Sequence, residues 1–190
     1  MLTSPRILSE HAWSVPRWAD GTPAPYALDN GAWGAHQQGT PFDEAAFELA
    51  LAAVGRGADW VVAPDVVGGG LYSLSVTRAW LPKLAGLRLV LVAVQDGMQP
   101  ADVVGLLGPR CGLFLGGTTE WKLNTLNLWG QLAARVGCYF HVGRVNTARR
   151  IRACKQAGAD SYDGTSVTKF PSTLPLLDSA RRQLNLYTDK

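Results

Sequence analysis

The sequence predicts an α/β protein with a mostly parallel sheet, and three observations carry that reading. Short apolar runs, at residues 26–29, 60–65, 89–95, 112–116 and 138–142, alternate with longer amphipathic segments. Strand–helix alternation of this kind means a parallel sheet. The runs are of strand length and largely continuous in apolar character, as expected for strands covered on both faces. Polar groups then recur at their C-terminal ends: Asp29, Asp65, Gln95, Gly116 with Gly117, and His141. In a barrel those ends converge on one rim, where active sites are built. In an open sheet they converge less completely. The pattern therefore favours a barrel, but eight βα units typically need roughly 250 residues. At 190 residues the expected fold is a compact or incomplete (β/α)8 TIM-type barrel forming a single domain over residues 1–190.

Each element has its own grounds. An early strand is expected near residues 6–9. The polar run 161–163 is assigned as a strand from its place in the alternation. Pro41-Phe-Asp-Glu opens a helix to about residue 54, with acidic residues in its first turn. Further helices are expected at about 74–84, 100–107, 120–136, 147–157 and 173–184. Gly55, Gly86, Gly108, Gly137 and Gly158 each fall near the end of a helix, as C-terminal caps do.

Composition narrows the classes. Forty-seven per cent apolar residues is too many for a disordered chain. A net charge of +3 permits a nucleic-acid partner without demanding one. No apolar stretch reaches the roughly 18 residues of a membrane span, and the first residues have no signal-peptide core. Cys111, Cys138 and Cys154 are widely spaced and odd in number. They read as reduced structural cysteines of a cytoplasmic protein, and no CxxC or HExxH pattern suggests zinc. The neutral surface and seven Trp are compatible with a homodimer.

Three carboxylates at strand ends, Asp29, Asp65 and Asp163, form the chemical core. One carboxylate can attack a sugar anomeric carbon while a second moves protons or holds a base edge. Each can equally cap the turn that follows it. The Gln95 amide suits a purine-like edge, or a backbone bond in a loop. Gly116, Gly117 and Thr118 let a flat ligand approach the main chain, or simply make a tight turn. Trp33 and Phe140 are candidates to sandwich a base, with a core role the alternative for Phe140. His141 is either a proton-moving group or a structural histidine. Arg144, Arg149, Arg150 and Lys169 are candidates for phosphate contact, or part of a solvated face.

Five of these segments together resemble the tRNA-guanine transglycosylase superfamily. Leu28-Asp-Asn-Gly-Ala-Trp33 resembles its DSGGF-type segment, with Asn30 and Ala32 in place of Ser and Gly. Ala63-Pro-Asp-Val66 resembles the segment with its second base-binding Asp. Val94-Gln-Asp-Gly97 resembles VQG, and Leu115-Gly-Gly-Thr118 resembles GGL. Gly158-Ala-Asp-Ser-Tyr-Asp163 resembles GxDxFD, whose last Asp is the family's nucleophile. The five keep the family's order across residues 28 to 163. The phrases PDVVG, FLGGTTEWK, HVGRVNTARR and GADSYDGTS are similar to a phage and bacterial branch that places 7-deazaguanine bases in DNA.

The resemblance implies a (β/α)8-type barrel and a pentosyltransferase that exchanges guanine in DNA for a 7-deazaguanine derivative such as 7-cyano-7-deazaguanine. Asp163 would attack C1′ and Asp29 would be the general acid/base. Asp65, Gln95, Gly116, Gly117 and Thr118 would read the base edge, and Trp33 would stack on it. No cofactor and no metal is implied, and the location would be cytoplasmic (the host cytoplasm for a phage protein). The tRNA enzymes carry a zinc site of three Cys and one His after the nucleophile. Neither residue follows Asp163 here, so no zinc subdomain is expected. That favours DNA over tRNA, and the last barrel strand is expected to be absent or replaced. The alternatives are the same exchange on tRNA, a catalytically inactive barrel that binds nucleic acid or a purine, and an unrelated sugar-phosphate enzyme. Against the last, no phosphate-binding loop and no strand-end Lys is found.

Overall fold

A computed structural model describes residues 2–10 and 14–182. The chain forms two compact units, residues 1–93 and 94–190. It is an α/β fold whose strands are hydrogen-bonded to one another in chain order. Every strand pair whose register is resolved is parallel.

The first unit runs β1 (Leu2–Thr3), α1 (Pro5–Glu10), β2 (Ala27–Leu28), α2 (Ala32–Gln38), α3 (Glu44–Val54), β3 (Val61–Val62), α4 (Leu71–Leu84) and most of β4 (Val90–Val94). Asp43 caps α3, its carboxylate accepting from the Ala46 N–H at 2.9 Å. Leu28, Phe47, Val61, Trp80 and Leu84 lie in its core. Phe47 meets Trp80 edge-on at 5.5 Å between ring centroids. Tyr26 keeps its hydroxyl satisfied there by donating to the Val54 carbonyl at 2.6 Å.

The second unit continues with α5 (Pro100–Val103), β5 (Cys111–Leu115), α6 (Thr119–Val136), β6 (Phe140–Val142), α7 (Ala148–Gln156), β7 (Ser161–Tyr162), α8 (Ser166–Lys169) and α9 (Leu174–Arg182). Thr118 and Thr147 cap α6 and α7, their hydroxyls accepting from Trp121 and Arg150 N–H groups. Gly130 lies mid-helix in α6, where glycine costs about 1 kcal/mol against Ala. A Cβ there would lie 1.9 Å from the Ala157 carbonyl oxygen, so the glycine admits the end of α7.

Several expectations need correcting. The first strand is Leu2–Thr3, and residues 5–10 are helical rather than a strand at 6–9. Two short helices, α2 and α8, had no sequence signal. α4 begins at Leu71, ahead of 74. The segment 100–107 is a four-residue helix followed by a 3-10 turn at Val104–Leu106. Gly137 is a left-handed cap at φ 69°, and Gly158, at φ 76°, follows the end of α7. Gly55 is the C-cap of α3, in a right-handed conformation, while Gly86 and Gly108 each come one residue after the cap. The expected helix 173–184 is α9 as far as Arg182, and its remainder lies outside the described residues.

Candidate functional site

Candidate residues gather in each unit separately. In the first, β2 and β3 stop before the carboxylates, which leaves Asp29 and Asp65 on the turns just beyond the strands. The Asp29 N–H donates to the Thr3 carbonyl at 2.7 Å. Asn30 joins the two turns. Its buried amide donates to the Ala63 carbonyl and to Asp65 Oδ1, both at 2.8 Å, while its own Oδ1 accepts from the Ala32 N–H. Burial pushes the Asp65 carboxyl above its ordinary value, and the Asn30 hydrogen bond only partly offsets this. In the sequence Asn30 stands out only as a departure from the DSGGF-type segment, and nothing there signals its role as a strut.

Asp29, Asn30 and Trp33 line an open cavity of about 500 Å³, together with Arg6 and Phe42. Trp33 is 37% exposed, and its ring lies 5.7 Å from the His36 ring, tilted by 31°. That volume lies within the range of small-molecule sites, about 300–1,000 Å³.

The second unit centres on Asp163, immediately beyond β7. Its side chain is 25% exposed, which leaves the carboxylate both held and reachable. Oδ1 accepts from the Arg144 backbone N–H at 2.8 Å and lies 3.4 Å from His141 Nε2. Burial works to raise the Asp163 carboxyl. The His141 hydrogen bond and charge, the Arg144 N–H and the nearby Lys122 ammonium outweigh it and hold the group below the ordinary carboxylate value. His141 is 2% exposed and stacks on Phe114 at 4.8 Å.

A second knot lies at the start of α6. Asp96 accepts from both the Thr118 N–H and the Thr118 hydroxyl, each at 2.6 Å. Burial would raise Asp96, but these bonds and the Arg144 charge bring it below its usual value. Gly117 is required here: at φ 73° its Cβ would sit 2.4 Å from Asp96 Oδ2. The Arg144 guanidinium donates to the Gly117 carbonyl, and burial lowers its pKa against the pull of Asp163 and Asp96. Arg144, at φ 59°, is the one non-glycine residue with positive φ among the described residues.

This geometry bears on the other expected residues. The Gly116 N–H donates to the Val94 carbonyl, and both Thr118 donors are occupied by Asp96. Gln95 is buried, its carbonyl closing a turn with the Met98 N–H. Phe140 is fully buried, a core ring with no exposed face for stacking. Arg149 and Lys169 are exposed and Arg150 is half-buried. Asp96 and Lys122 are the members of this cluster that sequence reasoning passed over.

Cys111, Cys138 and Cys154 are free thiols, and burial pushes Cys111 and Cys154 up to about 11. Among the described residues no group of three His, Cys, Asp or Glu could hold a metal ion. No described helix is long and apolar enough to cross a membrane. No protein-family model matches the chain, and no curated protein matches it. The transglycosylase resemblance therefore rests on the five motifs themselves.

Proposed function

We propose that the protein is a DNA guanine transglycosylase, a pentosyltransferase that replaces guanine with a 7-deazaguanine derivative. The observation that carries the reading is Asp163: a carboxylate held ionised by an imidazole and a backbone N–H, yet still reachable from solvent. A nucleophile towards a sugar carbon must be anionic, aimed and accessible. The GxDxFD-like segment points to the same residue. The strand order of the sheet supports an incomplete (β/α)8 TIM-type barrel as its scaffold.

In the proposed reaction a carboxylate oxygen of Asp163 attacks C1′ of a deoxyguanosine, and the C1′–N9 bond breaks. The electron pair leaves with guanine, which takes up a proton as it departs, a transfer that the resemblance assigns to Asp29. The transition state is oxocarbenium-like, and the Asp163 charge stabilises it before capture. The incoming 7-deazapurine gives up its N9 proton to Asp29 and attacks C1′, which restores the carboxylate. Trp33 would stack on the base and Asp65 would meet its edge. The raised Asp65 carboxyl is suited to a hydrogen bond with a purine. A base within a duplex is out of reach, so the target must be flipped out or single-stranded. Arg149, Arg150 and Lys169 would contact phosphates, making binding weaken steeply with salt.

Labelled guanine incubated with the protein and DNA tests the reading. Incorporation that disappears in Asp163→Ala supports it. Incorporation into tRNA alone moves the substrate assignment to tRNA. Binding without exchange in either polymer indicates an inactive binding domain.

A further inference from the structure

We propose that Lys122 is a positioning residue for Asp163: its ammonium grips the oxygen of the very peptide whose N–H donates to that carboxylate. The proposal rests on the reading of Asp163 as nucleophile only for its consequence in catalysis. The geometric claim stands on contacts.

Lys122 lies on α6 and is 5% exposed. Its Nζ donates to the Gly143 carbonyl. The Arg144 N–H belongs to the same peptide unit and donates to Asp163 Oδ1 at 2.8 Å. A peptide is planar, so holding its oxygen and its N–H fixes the orientation of the whole group. A positive charge on the oxygen also polarises the amide and strengthens its N–H as a donor.

Two features show that this peptide needs holding. Arg144 is in the left-handed region at φ 59°, a conformation that costs a non-glycine residue energy and persists only when its surroundings enforce it. Its guanidinium is fixed on the Gly117 carbonyl, which anchors the other side. Gly143 leaves no room for a side chain, because a Cβ there would lie 2.9 Å from two atoms of the Phe114 ring.

A buried ammonium is expensive, and an apolar side chain of similar length would occupy the place at less electrostatic cost. Burial and the Arg144 and Arg150 charges work against the Lys122 charge, while Asp163 and Cys154 favour it. Around Asp163 the charged or titratable groups are His141, Arg144 and Lys122. At 5% exposure Lys122 is screened from substrate. It therefore acts through the peptide and by its field on Asp163.

The test uses the full chain and two variants, Lys122→Met and Lys122→Gln, each checked for folding by circular dichroism and thermal melting. The Asp163 carboxyl is titrated by carbon-13 NMR, its resonance assigned by loss in Asp163→Asn. The proposal expects the Asp163 midpoint to move to higher pH in Lys122→Met. The shift should be smaller in Lys122→Gln, which keeps an N–H for the Gly143 carbonyl without the charge. Base exchange should fall about 10- to 100-fold in kcat with little change in KM, the scale of a misplaced reacting group. A folded variant whose Asp163 titrates as in the parent overturns the proposal. The titration needs no turnover. If the parent itself shows no exchange, the functional reading fails while the positioning claim is still decided.

Discussion

His141 and Ser161 are register partners on neighbouring parallel strands, and His141 Nδ1 lies 2.7 Å from Ser161 Oγ. The other ring nitrogen faces Asp163 at 3.4 Å. Tyr139 donates its hydroxyl to the same Ser161 oxygen at 2.9 Å. A two-residue strand thus sets a hydroxyl against one nitrogen of the ring whose other nitrogen faces the carboxylate.

Ser161→Ala is expected to remove the partner of both Tyr139 and His141. Chemical denaturation should show a loss of about 1–2 kcal/mol, the scale of one buried hydrogen-bonding group removed. Exchange should fall as well, because the ring loses its orientation. Unchanged stability and unchanged activity would contradict the relay.

Asn30 makes a similar prediction in the first unit. It is 3% exposed and satisfies the Ala63 carbonyl, the Ala32 N–H and Asp65. Asn30→Ala removes the donor to the Ala63 carbonyl and to Asp65 and the acceptor of the Ala32 N–H, so the expected cost is about 2–3 kcal/mol. Urea denaturation measures it, and a loss within about 0.5 kcal/mol, the ordinary effect of a surface change, would show that the strut is dispensable.

The depressed Asp163 carboxyl links folding to acid. Its folded pKa lies below the unfolded value, which is about 3.9 for Asp. The unfolded chain therefore binds the proton more readily. The stabilisation is present above the unfolded value and is lost as pH falls through the folded one. The stability gap between the parent and Asp163→Asn should be widest near neutrality and close on acidification. Denaturant midpoints across pH 2–7 follow it.

Lys122 acts at the other end of the scale. Burial, with the Arg144 and Arg150 charges, lowers its ammonium to about 8 against the pull of Asp163 and Cys154. Between there and the unfolded value of about 10.4 the unfolded chain binds more protons, so this group makes stability rise with pH. Cys111 and Cys154, pushed up to about 11, act in the opposite sense. The informative quantity is the difference between parent and Lys122→Met, which should grow in the parent's favour from about pH 8 upwards. A difference that stays flat with pH would place the Lys122 titration elsewhere.

Much of the fold could be read directly from apolar runs. The segments containing β4, β5 and β6 were legible because buried parallel strands leave continuous hydrophobic stretches. β1 was not, since two residues at the start of the chain give no run, and Pro5 begins a helix where a strand was expected. α2 was hidden by a Gly-bearing, weakly apolar segment, Ala32–Gln38. His141 and Arg144 were visible because polar groups at a strand end stand out against an apolar run, and Asp163 from its place in the strand–helix alternation. Asn30, Asp96 and Lys122 were not. A Lys on an amphipathic helix reads as solvated, and only tertiary packing turns Lys122 inward onto the Gly143 carbonyl.

The most direct test is a labelled-guanine exchange assay, with duplex DNA, single-stranded DNA and tRNA offered in turn to the parent and to Asp163→Ala. The account predicts label entering DNA with the parent and none with the folded variant. Label entering DNA equally well with Asp163→Ala would contradict it.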